Sequence, residues 1–233
     1  MQLSTVVSRL ERAFGPVREL LVPLLSDPRV MGAWVVVVAV STAVLLWDVR
    51  ERNEAIPSLM KGVWTLTVLY SGPFGLAVYW YAGRTQIPRD SLARRGFRST
   101  AHCYSGCGAG EVTGVLLAQG LLGLTVGWVA ATTFGFAYLF GFSLTVGPLI
   151  QEGVGFREAV VDAFYSETPS ITVMEVTAIG TDLLLAAEAT VDDPLFWGAL
   201  AFSLSVGYLA AFPVNLALVR VGVKEGMANP AEL

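Results

Sequence analysis

The sequence predicts an all-α, polytopic membrane helical bundle of about six transmembrane helices, preceded by an N-terminal amphipathic surface helix. Three observations predict it. Of the 233 residues, 54% are hydrophobic and only 15% charged, where a soluble domain carries about 25% charged residues. The mean hydropathy is +0.61. The apolar residues also come in blocks of roughly 20, the length that crosses a ~30 Å hydrocarbon core, and open sheet edges cannot face lipid there. A net charge of −4 says little about partners when most of the surface faces the lipid bilayer. No basic tract with interleaved aromatics suggests nucleic acid, and no Walker loop or dinucleotide fingerprint suggests a nucleotide. No hydrolase or protease signature marks an enzyme.

The elements follow in order. Across residues 1–28, Leu3, Val6, Val7, Leu10, Phe14, Val17, Leu20 and Leu21 recur at near-helical spacing, so this segment reads as an interfacial helix. Its Arg9, Glu11, Arg12, Arg18 and Glu19 interrupt any continuous apolar run, unlike a secretory leader. A transmembrane domain over 29–227 then holds spans near 30–49, 59–82, 101–124, 130–150, 169–189 and 195–221, with a short tail at 228–233. Tyr79, Trp80 and Tyr81 form an aromatic belt. Pro169 is expected near the first turn of its helix, where a missing N–H costs least.

Lys and Arg set the expected orientation. With the N-terminus inside, twelve of the fifteen fall in inner segments, and only Arg50, Arg52 and Lys61 fall outside. That bias predicts a multi-pass protein of the cytoplasmic (inner) membrane with both termini cytoplasmic.

The chemistry concentrates in Ala101-His102-Cys103-Tyr104-Ser105-Gly106-Cys107-Gly108-Ala109-Gly110-Glu111, which holds the chain's only histidine and both cysteines. On a helix Cys103, Cys107 and Glu111 share one face, each one turn beyond the last. Two thiolates and an imidazole suit Cu(I) or Zn(II) rather than Mg or Ca. His102 points about 100° away from Cys103 on an intact helix. Cysteines four apart on a regular helix do not reach disulfide geometry without distortion. The competing reading is packing: Gly106, Gly110 and Gly114 make a small-residue stripe of the kind membrane helices use for close approach.

Ionisable groups inside spans are functional candidates. Counting ~1.5 Å per residue, Cys107, Glu175 and Asn215 are each expected roughly 9 Å in from the cytoplasmic side. Asp182 continues the Glu175 face outward, and Glu111 is expected level with Ser71-Gly72-Pro73-Phe74-Gly75. Together they outline a polar path through the bundle. Structural hydrogen bonding between helices is the alternative role for Glu175 and Asn215.

At these residues the chain resembles the domain-of-unknown-function 4396 family of prokaryotic polytopic membrane proteins. The likeness is carried by Trp64–Pro73, the His102–Glu111 motif, Ser170–Glu175, Phe212–Asn215 and Gly222–Met227, most of residues 48–227. It implies a helical membrane bundle and no named activity. Where the family has Trp-Pro, this chain has Trp64-Thr65, which removes the proline that would kink the second span there.

The resulting expectation is a protein that handles or permeates a soft transition-metal ion, foremost Cu(I), at the cytoplasmic mouth of the third span. Cys103 and Cys107 would capture the ion, with His102 and Glu111 completing the set. The alternatives are a non-catalytic subunit of a larger membrane complex, or a homo-oligomer, joined through the glycine stripe, and a membrane thiol redox protein.

Overall fold

The computed structural model describes residues 2–233, with side chains from Phe14 onward. The helices are α1 (Gln2–Ser26), α2 (Pro28–Arg52), α3 (Ser58–Ser71), α4 (Pro73–Ala82), α5 (Leu92–Val115), α6 (Val126–Gln151), α7 (Phe156–Ala186) and α8 (Pro194–Arg220). A π-helical turn, Leu116–Leu121, extends α5, and a short 3₁₀ turn closes the tail. No strand occurs among the described residues. Helices α2, α6, α7 and α8 are long and apolar enough to cross a membrane. α5 is nearly as long and buries six polar or charged residues, Arg98, Ser99, Thr100, His102, Ser105 and Glu111. The chain is a helical membrane bundle.

Local chemistry fixes the helix starts. Asp27 accepts from the Arg29 amide and Pro28 occupies the first turn of α2, where its missing N–H is no loss. Asp193 and Pro194 repeat the device at α8, and Ser91 caps α5 by accepting from the Arg94 amide. The segment expected to be an interfacial helix is helical, as α1. Leu3, Val6, Val7 and Leu10 lie outside the described side chains, while Leu21, Val22 and Leu25 pack against the core.

The expected second span is not one crossing. At Gly72 (φ +55°, ψ −125°) the chain takes a conformation that only glycine adopts at low cost, and Pro73 opens a new helix. α4 then doubles back along α3. Trp64 and Tyr79 stack edge-to-face with centroids 5.5 Å apart, and a Cβ on Gly83 would lie 2.5 Å from the Trp64 ring. On one straight helix those residues would be roughly 22 Å apart. The hairpin enters and leaves at the same end of the bundle, and its tip reaches Trp34 and Val38 on α2. α3 itself runs unbroken past Thr65, so the turn lies where Gly72-Pro73 allows it.

Two buried anchors hold the hairpin. Asp48 of α2 accepts from Tyr79 Oη at 2.9 Å, Arg84 Nη2 at 2.8 Å and Asn53 Nδ2 at 2.9 Å. Arg98 of α5, only 1% exposed, grips Asp90 with two hydrogen bonds of 3.0 and 2.7 Å. It also donates to the carbonyls of Ala82 and Gly226. One guanidinium thus ties α5, the end of α4 and the C-terminal segment, the use for which a planar five-donor group is suited.

The hairpin changes the expected topology. α5 starts at the end where α2 finishes and runs antiparallel to α6 and α8 and alongside α7. Near the chain start, Phe14 and Arg18 share a groove with Leu183–Ala189 at the end of α7. Lys224, by contrast, pairs with Glu167 in the first half of α7. The first helix and the tail therefore sit at opposite ends of the bundle, against the expectation that both termini share one side.

Two boundaries also differ. α5 begins at Leu92, so roughly three turns precede Cys103 and the motif lies within the bundle instead of at a helix mouth. α7 begins at Phe156, where Ala159 and Ala163 pack as a buried face. Pro169 is consequently inside the helix, not at its first turn.

Candidate functional site

The sequence singled out His102 and the Cys103–Cys107–Glu111 face of α5, and the structure buries all four: each is 3% exposed or less. α6 covers one flank. Gly106 faces Gly141, Gly110 faces the Phe136–Ala137 backbone and Gly114 faces Thr133. A Cβ at Gly106 or Gly114 would come within 2.7 Å of a backbone atom of α6. The glycine stripe is thus consumed inside the chain, which removes it as a surface for a second subunit or copy.

With α6 that close, the sulfurs turn toward α7. Cys103 and Cys107 are free thiols with their Sγ atoms 3.9 Å apart, well beyond a bond of about 2.05 Å. Ser170 Oγ approaches Cys103 Sγ at 3.8 Å. The Glu175 carboxylate lies beside both thiols, is fully buried and has no hydrogen-bond partner apart from them. Gly141 leaves the space: a Cβ there would stand 2.9 Å from Cys107 Sγ.

Toward the α5 start lies a second cluster. Lys224 Nζ donates to Glu167 Oε2 at 2.7 Å, Asn215 Oδ1 at 2.8 Å and Ser170 Oγ at 3.1 Å. Thr145 donates to Glu167 Oε1 and Ser99 to Asn215 Oδ1, each at 3.1 Å. A charged pair removed from water needs this many partners to be tolerated. Ser170 joins the two clusters, since it contacts both Lys224 and Cys103.

Toward the other end, Glu111, Asp182 and Thr133 line a cavity of about 60 Å³. Glu111 Oε2, Asp182 Oδ1 and Thr133 Oγ1 all lack partners. A buried acceptor without a donor costs about 1–3 kcal/mol, and more when charged, so such groups mark places where something is held.

The residues expected on one path therefore separate. Cys107 and Glu175 are level, as counted. Asn215 is not: it bonds Ser99, two turns earlier on α5. The count took Ala101 as the helix start, whereas α5 starts at Leu92. Tyr70 and Ser71 at the hairpin tip face Tyr104 and Gly108 and stop about one turn short of Glu111. His102 turns away from the sulfurs toward the Leu144 backbone and the Glu167–Lys224 pair, as its 100° offset requires. Glu111 belongs to the cavity, not to the thiols. Among the described residues no group of three or more His, Cys, Asp and Glu stands ready to hold a metal ion.

Sequence reasoning missed Glu167, Lys224, Thr133 and Gly141. Lys224 lay within the quoted Gly222–Met227 segment, and its sequence position past the last span hid its return into the bundle. Glu167 precedes Pro169, where the sequence predicts the start of that helix, and the earlier start at Phe156 brings it inside.

The family model for a domain of unknown function, DUF4396, matches residues 93–224. That range takes in α5 to α8, all three polar clusters and Lys224. No curated protein matches this chain, and no solved structure does.

Proposed function

We propose that this chain, which belongs to the DUF4396 family, is a membrane protein that receives and passes a soft transition-metal cation, foremost Cu(I). The cation would be held by Cys103 and Cys107, with Glu175 as the compensating carboxylate. The observation that carries the reading is the facing of two free sulfurs at 3.9 Å beside a buried carboxylate with no other partner. An ion about 2.3 Å from each sulfur would see them at an angle of about 116°, between tetrahedral and trigonal. Thiolate ligands select Cu(I) or Zn(II) by softness.

The Lys224–Glu167 pair lies next along α7. The bundle end that holds Arg84, Arg94, Arg95, Arg98, Arg157 and Arg220 would face the cytoplasm. The thiol pair would then lie within the bundle, and α1 would rest on the opposite membrane face.

Elemental mass spectrometry of the purified protein tests this, after reducing purification and exposure to Cu(I) and Zn(II). Near-stoichiometric metal is expected in the parent and not in Cys103→Ser/Cys107→Ser. Equal metal content in both proteins, or none in either, rejects the reading.

A further inference from the structure

The cavity at the far end of α5 contains polar atoms of one kind. Glu111 Oε2, Asp182 Oδ1 and Thr133 Oγ1 converge on it without partners. Glu111 is 1% exposed and Thr133 2% exposed. The rest of the lining is apolar except for Gln119, whose amide donates to the Ala189 carbonyl at 2.8 Å. That bond ties the π-helical turn to the α7–α8 loop and fixes the cavity rim. Single-turn π elements of this sort recur at functional sites.

These groups are oxygens, and they outnumber donors. Their complement is a cation or a strong hydrogen-bond donor. About 60 Å³ admits on the order of four water-sized bodies at ~15 Å³ each. It suits an inorganic cation with part of its water shell. Carboxylate, hydroxyl and water oxygens select hard cations such as Na⁺, Mg²⁺ or Ca²⁺ and reject soft ones.

We propose that Glu111, Asp182 and Thr133 form a binding site for a small hard cation, distinct from the thiol pair. Ligand type separates the two: oxygen here, sulfur one turn away at Cys107. Glu111 and Glu175 stand on facing helices between the sites, near enough to feel each other's charge. A cation on Glu111 therefore changes the field at the thiols. The site does not depend on the soft-metal reading and stands if that reading fails.

Thermal unfolding of the purified full chain tests it. NaCl, MgCl₂ and CaCl₂ are each titrated against N-methylglucamine chloride at equal ionic strength. One of the three should raise Tm saturably, by several degrees once it exceeds its Kd about a hundredfold. The rise should vanish in Glu111→Gln/Asp182→Asn and persist in Cys103→Ser/Cys107→Ser. If the double acid variant does not fold, Thr133→Val should shift the half-saturation point to higher cation by severalfold. No cation-specific rise in the parent overturns the proposal, as does a Tm that responds only to pH, which would mean that protons fill the cavity. A rise lost in the cysteine variant overturns the separation of the two sites.

Discussion

Lys224, from the segment after the last helix, places its Nζ 2.7 Å from Glu167 Oε2 inside the bundle, with both side chains 6% exposed. Gly222 (φ +77°) and Gly226 (φ +80°) bracket it, and these left-handed turns bring the chain back from the end of α8. A Cβ at Gly226 would stand 2.6 Å from Arg95 Cβ. Removing one member of a buried pair strands the other, at about 3–5 kcal/mol. Lys224→Met is therefore expected to lower the thermal unfolding midpoint strongly. Glu167→Gln/Lys224→Met should recover part of the loss, because no uncompensated charge remains. A single variant as stable as the parent would show that the pair lies in water.

The hairpin turn rests on one glycine. Any other residue at Gly72 would be forced to φ +55°, and its Cβ would lie 3.2 Å from Val38 Cγ2 and 3.3 Å from the Trp34 ring. Gly72→Ala should cost about 1–3 kcal/mol from backbone strain, read as a lower unfolding midpoint. Gly62, whose Cβ would meet nothing within 4 Å, is the control. Gly62→Ala should change little or stabilise slightly, as alanine does within a helix. Equal effects at both sites would place Gly72 in an ordinary helix.

How far the sequence carried the reading shows in two segments. α8 was legible to within one residue at each end and α2 to within three, because their apolar blocks end at charged residues and begin at Asp-Pro pairs. The segment 59–82 has the same composition, and hydropathy alone cannot tell one crossing from a hairpin with both ends on one side. What separates them is a single backbone conformation at Gly72, and its neighbours Trp64 and Tyr79 meet only in three dimensions. The site was legible for Cys103, Cys107 and Glu175, since helical periodicity fixes α5 and α7 once they are paired. It was not legible for Lys224, whose place depends on a loop path. His102 sits among the motif residues in sequence but on another side of the helix.

The α5–α6 contact makes the glycine stripe a folding element. At Gly110 a Cβ would collide with the Phe136 carbonyl and Ala137 Cα. Gly110→Leu should force the two helices apart and lower the yield of folded, monodisperse protein even when the chain is purified alone. Overpacking of this kind typically costs 1–3 kcal/mol or more. A variant that is normal alone and defective only with other subunits would restore the assembly reading.

Asp90 sits in the link before α5 with a side chain 20% exposed. Burial works to raise its carboxyl, and this is outweighed by the Arg98 hydrogen bond, the Ser91 amide and the charges of Arg98 and Arg95. The carboxyl is held below its ordinary value of 3.8. The sign follows: the folded group titrates lower than the unfolded one, so the pairing contributes its full stability above that ordinary value. The contribution is lost as pH falls through the folded value. Asp90→Asn should therefore unfold more easily than the parent at pH 7, and the gap between them should close below about pH 4. A gap that stays constant from pH 7 to pH 3 would exclude the charge of Asp90 as the cause.

Glu175 and His102 make opposite predictions for metal retention. Glu175 touches the thiols and has no other partner, so Glu175→Gln removes a negative charge at the sulfurs and leaves the helix packing in place. Bound Cu(I) or Zn(II) should weaken by about 10–100-fold, the usual consequence of altering a group beside a metal ligand. The unfolding midpoint should hold or rise, because a buried unpartnered carboxylate has been replaced by an amide. His102 faces Leu144 and the Glu167–Lys224 pair, so His102→Gln should leave metal affinity unchanged within about twofold, since no ligand is lost. Competition titration against a chromophoric chelator measures both. Loss of metal in His102→Gln with full retention in Glu175→Gln would move the third ligand to the histidine and require α5 to unwind ahead of Cys103.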